Sequence, residues 1–285
     1  MRILIAIAVF ILPAFAQSTA PLLVDTTWLS DHLKDTDLVL LHVGSKPEYD
    51  AEHIPGARHV TDADITRTSG QDMYDLPSAA DLRTKFATLG ISDNSRIIVY
   101  FGANGGVPSA TRVIFTLDYI GLGERTSLLN GGLRAWKRAG KEVTNAVPSV
   151  TAGKLTARPT KNIVADAALV KAAPQRSGLK LVDARAPVYY NGTESSHDTS
   201  GHIPGAINIP FSNITDTDLM IQSQDVAGLF RKAGVNPGDT VVAYCHIGAQ
   251  ATAVVFAARL LGNPVLLYDG SIHDWVMVQH GPVEK

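Results

Sequence analysis

The chain carries a single cysteine, Cys245, inside "DTVVAYCHIGAQATAVVF" (Asp239–Phe256). A thiolate is a strong nucleophile, so a placed cysteine points to covalent chemistry at sulfur. The residues before it are apolar and β-rich, and those after it are small and helix-friendly. That pattern predicts a strand ending at the thiol, a short loop, and a helix starting at about Ala249–Ala251. Such a loop points several backbone N–H groups at the sulfur, and the helix N-terminus adds partial positive charge. Both effects favour thiolate over thiol and lower a cysteine pKa. Gly248 permits backbone angles that a side chain would oppose, although an ordinary turn also suits a glycine.

The elements that must position this loop repeat along the chain. "HIPGA" occurs at His53–Ala57 and again at His202–Ala206, an offset of 149. "RIIVYFGANGG" (Arg96–Gly106) resembles "TVVAYCHIGAQ" (Thr240–Gln250), which pairs Tyr100 with Tyr244. "NGGLRAW" (Asn130–Trp136) resembles "DGSIHDW" (Asp269–Trp275). A duplicated unit of about 130 residues follows from these offsets of 149, 144 and 139. In the second unit, helical signals at 164–173, 225–234, 249–262 and 271–278 alternate with β runs "LKLVDA", "DTVVAYC" and "PVLLYDG". Continuous apolar strands alternating with helices predict an α/β fold, each unit a mostly parallel central sheet with helices on both faces. Ligands bind beyond the carboxyl ends of strands in such sheets, where Cys245 sits. The expected division is a leader at 1–16, a first domain at 17–141, a linker at 142–162 and a second domain at 163–285.

The leader is read from "MRILIAIAVFILPAFAQSTA". Arg2 precedes an apolar run too short to cross a bilayer, and Ala14-Phe15-Ala16 fits a cleavage site. The mature chain is expected to begin near Gln17, in the periplasm or secreted, with no membrane attachment after cleavage. An odd cysteine in an oxidising compartment implies an intermolecular bridge or a reactive thiol, against the plain alternative of a buried, inert one. The 285 residues are 45% hydrophobic and 18% charged, with a net charge of −2. That is globular, and it offers no broad basic field for nucleic acid.

The "HIPGA" repeats, the "LVDAR" strand and the "YCHIGAQAT" loop together resemble the rhodanese (sulfurtransferase) family in its tandem two-domain form. The resemblance implies two tandem rhodanese-like domains over the whole mature chain. It implies that Cys245 accepts a sulfane sulfur, holds it as a persulfide, and passes it to a thiol or to cyanide. Backbone amides of His246, Ile247, Gly248, Ala249 and Gln250 would then cradle the persulfide. No cofactor is implied, and a monomer is expected. The first unit departs from the family's pattern. Phe101 stands where Cys245 stands, and His42 and Gly44 stand where an active unit has aspartate and arginine. Asp183 and Arg185 occupy those places in the second unit, so the first domain is expected to be structural and to close one side of the cleft.

Arg185 is expected to clamp an anion through its forked guanidinium, unless an internal ion pair with Asp183 engages it. Asp183 is expected to position Arg185 or the loop. His246 can supply a donor or a positive charge to a substrate's oxygens. His53 and His202 are expected to be structural parts of their turns, and Trp136 and Trp275 core residues. Glu194, His197 and Asp198 read as solvated loop rather than metal ligands. Asn191 and Asn213 open glycosylation sequons. Among family members, thiosulfate enzymes tend to carry Arg and Lys after the cysteine, and 3-mercaptopyruvate enzymes Gly and Ser with a second arginine downstream. This chain has His246 and Ile247, which match neither pattern, and Tyr189 where that arginine would fall; the missing arginine favours thiosulfate, with 3-mercaptopyruvate the alternative donor. A non-catalytic sulfur carrier is the alternative from another class. A phosphatase built on Cys-x5-Arg is excluded by chemistry, because Ala251 stands at the arginine's place.

Overall fold

A computed structural model describes residues 21–69, 72–156, 158–196 and 199–285. The leader-like segment, His197 and Asp198 lie outside the described residues. In the first unit, β1 (Leu23–Val24) and α1 (Thr26–His32) lead to β2 (Leu38–Val43), α2 (Lys46–Ala51) and β3 (Arg58–Val60). A short ribbon of β4 (Arg67–Ser69) and β5 (Asp72–Asp75) precedes α3 (Ala79–Thr88), β6 (Arg96–Phe101), α4 (Val107–Tyr119), β7 (Thr126–Leu129) and α5 (Gly132–Arg138). The second unit has α6 (Ala167–Ala172), β8 (Leu179–Asp183), α7 (Pro187–Tyr190), β9 (Ile207–Asn208) and α8 (Ser223–Lys232). It ends with β10 (Thr240–Tyr244), α9 (Ala251–Leu260), β11 (Val265–Leu267) and α10 (Ser271–His273).

Both central sheets are wholly parallel, in the orders β1-β7-β6-β2-β3 and β11-β10-β8-β9. The apolar strands "RIIVYF" and "TVVAY" sit inside these sheets and are buried along nearly their whole length. Their burial on both faces explains why they read as continuous hydrophobic runs rather than alternating ones. Each domain therefore has the α/β architecture expected of it. The helix expected from Val164 begins at Ala167 because Asp166 caps it, its carboxylate accepting from the Leu169 amide at 2.7 Å. The helix expected at 271–278 breaks into α10 and a wide π turn over Asp274–Val278. The described residues of 142–162 carry no helix, yet they lie along the first unit: Gly153 donates to the Ala87 carbonyl at 2.8 Å and Thr160 to that of Tyr119 at 3.0 Å.

The repeated HIPGA turns are built alike, and their physics is structural. Tyr100 Oη accepts from the Ile54 amide and Tyr244 Oη from the Ile203 amide, both at 3.0 Å. The imidazole of His53 stacks on Tyr49 with centroids 4.0 Å apart, and that of His202 on Tyr190 at 3.8 Å. His53 is fully buried with both ring nitrogens on the carbonyls of Tyr49 and Ala146, so it does not face the cleft. Trp136 and Trp275 are also buried, with Nε1 on the carbonyls of Glu142 and Pro282, each at 2.7 Å.

The two units dock through α4 and α9. All but the last two residues of α9 are buried, over Ala251–Ala258, because one face covers its own sheet and the other meets α4. Thr111 and Thr252 share a buried hydrogen bond of 2.9 Å at this contact. Towards the C-terminal ends of the helices, Arg259 reaches Asp118 and Glu124, each at 2.9 Å. No described helix is long and apolar enough to cross a membrane.

Candidate active site

Strand register brings the site together. Tyr244 lies beside Asp183 in the parallel pairing of β10 with β8. The residues that follow, Cys245 on one strand and Ala184-Arg185 on the other, therefore leave the sheet at the same carboxyl edge. Cys245 comes directly after β10, and α9 begins at Ala251, six residues on. The strand–loop–helix expectation holds to within a residue or two.

The thiol is 1% exposed. Its sulfur accepts a hydrogen bond from the Gly248 amide at 3.2 Å. Several loop amides were expected around it; among the described residues, Gly248 supplies the one that bonds it. The sulfur lies at the floor of the loop and reaches the amide three residues on. Gly248 has φ of +93°, and a Cβ there would lie 2.3 Å from the Asp269 carbonyl oxygen. Only glycine fits, for backbone angle and for space alike. His246, Ile247, Ala249 and Gln250 form the half-exposed cover of the loop. The His246 and Tyr189 rings meet nearly at right angles with centroids 4.9 Å apart.

A segment after β11 clamps the loop from behind. Ser271 Oγ accepts from the Cys245 amide at 3.0 Å and donates to the Tyr268 carbonyl at 2.9 Å. The amides of Ile272 and His273 donate to the carbonyls of Cys245 and His246 at 3.1 and 3.2 Å. Ser271 is fully buried at φ of +56°, a left-handed conformation that costs a non-glycine residue about 1 kcal/mol or more.

Arg185 and Asp183 are both fully buried and paired to each other. Arg185 Nη2 donates to Asp183 Oδ2 at 2.6 Å and to the Gly201 carbonyl at 2.7 Å, and Nε donates to the same carboxylate at 3.0 and 3.1 Å. The internal ion pair weighed against an anion clamp is thus present, but it leaves Arg185 Nη1 buried without a partner. Burial opposes the guanidinium's charge. The Asp183 bonds and charge outweigh it, with a further contribution from Cys245, and hold Arg185 above its ordinary value. Asp183, grouped with Arg185 and the loop residues as part of a substrate-binding site, has both oxygens on Arg185 and so holds that guanidinium in place. Burial first, then the charge of Asp183, pushes the Tyr244 phenol well up.

The first unit contributes residues that sequence reasoning missed. Tyr74 lies in the electrostatic field of Cys245 and hydrogen-bonds Asp62; burial first, then Asp62, raises its phenol. Its φ is +65°, a strained conformation for an aromatic residue. Arg112 on α4 is fully buried and ion-paired with Asp269 at 2.5 Å. Between residues 73–76 and the segment from Asp269 to Asp274 lies a cleft of about 340 Å3, with Asp269 in its wall. Cys245 does not line it.

The equivalent place in the first unit is closed. Phe101 replaces the thiol, and the loop amide of Asn104 donates to Glu48 Oε1 at 2.8 Å. A Cβ on Gly102 would lie 2.4 Å from that same oxygen, so the glutamate fills the space. His42, in the aspartate's place, is buried, and desolvation, then the charges of His59 and His53, lower it to about 4. The folded domain therefore holds His42 neutral, whereas the unfolded chain protonates it near its ordinary value of about 6.5. Its contribution to stability is fully present above that value. It is lost as pH falls towards 4, at up to about 1.4 kcal/mol per pH unit. Calorimetry at several pH values should show this slope in the wild type and a shallower one in His42→Gln.

Among the described residues, no cluster of three or more His, Cys, Asp or Glu is arranged to hold a metal ion. The family description "Rhodanese-like domain" matches this chain twice, over residues 25–139 and 166–277. A thiosulfate sulfurtransferase of Cricetulus griseus is 32% identical over 89% of this chain and 91% of its own length. Two Pseudomonas aeruginosa proteins are also 32% identical. One, named "Thiosulfate sulfurtransferase", matches over 94% of this chain and 98% of its own. The other, named "Probable 3-mercaptopyruvate sulfurtransferase", matches over 90% and 95%. Among solved structures, that of YnjE superposes with a TM-score of 0.83 at 23% identity, covering 93% of this chain and 68% of that one. The ergothioneine biosynthesis enzyme of Chlorobium limicola gives 0.83 at 22%, covering 93% and 70%. At that identity, these two speak for the fold alone.

Proposed function

The chain belongs to the rhodanese-like family, and from that premise we propose that it moves a sulfane sulfur from thiosulfate to cyanide or a thiol through a persulfide on Cys245. The activity class, sulfurtransferase, is supported by relatives of that name along nearly the whole chain. The observation that carries the finer reading is the Cys245 sulfur at a strand end, bonded by the Gly248 amide at 3.2 Å and sharing its edge with the buried Arg185. A sulfur in that setting has a hydrogen-bond donor on it and a cation within its electrostatic reach, the surroundings a nucleophilic sulfur uses.

The thiolate attacks the outer sulfur of thiosulfate. A sulfur–sulfur bond forms at Cys245, the bond to the sulfonate breaks, and sulfite leaves with the electron pair. An acceptor nucleophile then attacks the terminal sulfur, and Cys245 returns to thiolate. Arg185 Nη1 supplies a donor for the anionic substrate, and Gly248 steadies the sulfur. Tyr189 favours thiosulfate over 3-mercaptopyruvate, because it places a phenol ring where a carboxylate would need a second guanidinium. The leader-like residues 1–16 support a periplasmic or secreted protein, and a monomer suffices because one chain supplies both domains.

Mass spectrometry after exposure to each donor separately tests the reading. Thiosulfate should add the mass of one sulfur atom, and 3-mercaptopyruvate should add little. The reverse order would assign the other donor. A persulfide that forms but never turns over with cyanide or a thiol would make the protein a carrier.

A further inference from the structure

We propose that Arg112, contributed by the domain that lacks a cysteine, is a positioning residue for Cys245: it neutralises Asp269 and holds it where the Gly248 turn needs it. The proposal rests on the reading of Cys245 as the nucleophile.

Arg112 ties the Gly248 turn to Asp269 and to the first domain. Its Nη1 donates to Asp269 Oδ1 at 2.5 Å and reaches the Gly248 carbonyl at 3.4 Å. Its Nη2 donates to the Tyr74 carbonyl at 2.7 Å, and the guanidinium lies 5.1 Å from the Tyr74 ring centroid. The other Asp269 oxygen accepts from the Leu76 amide at 2.9 Å. Gly248 backs directly onto the Asp269 carbonyl, and its amide is the one that bonds the sulfur. A shift of Asp269 therefore moves the amide that steadies Cys245.

Docking of the domains does not by itself require this ion pair. The repeat pairs Asn130 with Asp269. Asn130 reaches across the interface in mirror fashion, accepting from the Ile221 amide at 2.8 Å and donating to its carbonyl at 3.1 Å. That crossing is neutral. The offset of 144 that pairs Tyr100 with Tyr244 places Phe256 opposite Arg112, so the mirror position has no cation. The charged version occurs only beside the cysteine. A buried ion pair is a weak source of stability because desolvation offsets most of its attraction, whereas breaking it leaves a lone charge. Here that lone charge would be the Asp269 carboxylate, close to a sulfur that must itself be anionic. The other ionisable groups around the thiol are Asp183 at the end of β8 with Arg185 just beyond it, Tyr244 below it, His246 in the loop, and Tyr74 from the first domain.

The test uses the full-length protein and the rate at which iodoacetamide alkylates Cys245 at neutral pH, with ultraviolet thiolate absorbance alongside. Arg112→Met should slow alkylation about tenfold or more, the effect of one pH unit's worth of lost thiolate. Arg112→Met combined with Asp269→Asn removes both charges, and it should recover to within about threefold of wild type. Arg259→Met breaks the interdomain pairs with half-buried Asp118 and exposed Glu124, away from the loop. It should lower the melting temperature and leave the rate unchanged. Should Arg112→Met not fold, Arg112→Lys keeps the charge but loses the fork, and should still slow alkylation about threefold. A wild-type rate in Arg112→Met and Arg112→Lys, or a double variant as slow as Arg112→Met, would overturn the proposal. A wild-type thiol that resists alkylation altogether would instead sink the reading of Cys245 as nucleophile.

Discussion

Cys245→Ser is expected to give a folded protein that takes up no sulfur from any donor and has lost at least about a thousandfold of its transfer activity. The change is nearly isosteric, and the new hydroxyl inherits the Gly248 amide as a donor, 3.2 Å from the present sulfur. A buried hydroxyl with one good hydrogen bond costs little, so the melting temperature should move by no more than a few degrees. The chemistry is another matter. A serine hydroxyl stays protonated at neutral pH without a general base, and oxygen cannot carry a sulfane sulfur as a stable intermediate. The first domain offers no substitute, because Phe101 stands at the equivalent place and Glu48 fills the loop. Residual transfer above about one per cent of wild type, in a preparation free of wild-type protein, would mean that sulfur moves without Cys245.

Much of this site can be read in the sequence, because local pattern fixes it. Apolar β runs ending in small, helix-forming residues place Cys245 between strand and helix, and the HIPGA repeats expose the duplication. The degenerate first unit is also legible, since Phe101, His42 and Gly44 are the wrong residue types for the chemistry. What escapes the sequence is contact across the interface. Arg112 and Asp269 are 157 positions apart, one in an apolar helix and the other in a turn with an everyday Asp-Gly pair. Neither carries a local signal, and only the packing of α4 on α9 brings them to one loop. The contrast of Asn130 with Asp269 at a shared repeat position is the one trace of it. Likewise, the several amides expected around the thiol reduce to Gly248. Loop length predicts that amides are near the sulfur, but the positive φ of Gly248 and the clamp from Ser271 decide which one reaches it.

Arg185→Met is expected to be the most destabilising of these changes, because Asp183 is then left fully buried without its cation, keeping the backbone amide of residue 185 on Oδ1 but losing every guanidinium bond. Breaking a buried pair from one side costs roughly 3–5 kcal/mol. The second domain's melting transition should fall by about 10 °C. Adding Asp183→Asn removes the stranded charge and should recover at least half of that loss, since a neutral amide can still bond the neighbouring backbone. Sulfur uptake from thiosulfate should not recover with it. The double variant has a sound fold and a free thiol, but no guanidinium whose Nη1 can meet the donor's anionic oxygens. Calorimetry and mass spectrometry on the same preparation thus separate two tasks of one residue, holding the strand ends together and receiving an anion. If uptake returns together with stability, Arg185 is only a structural partner of Asp183, and the anion must be met by the loop and the helix terminus alone.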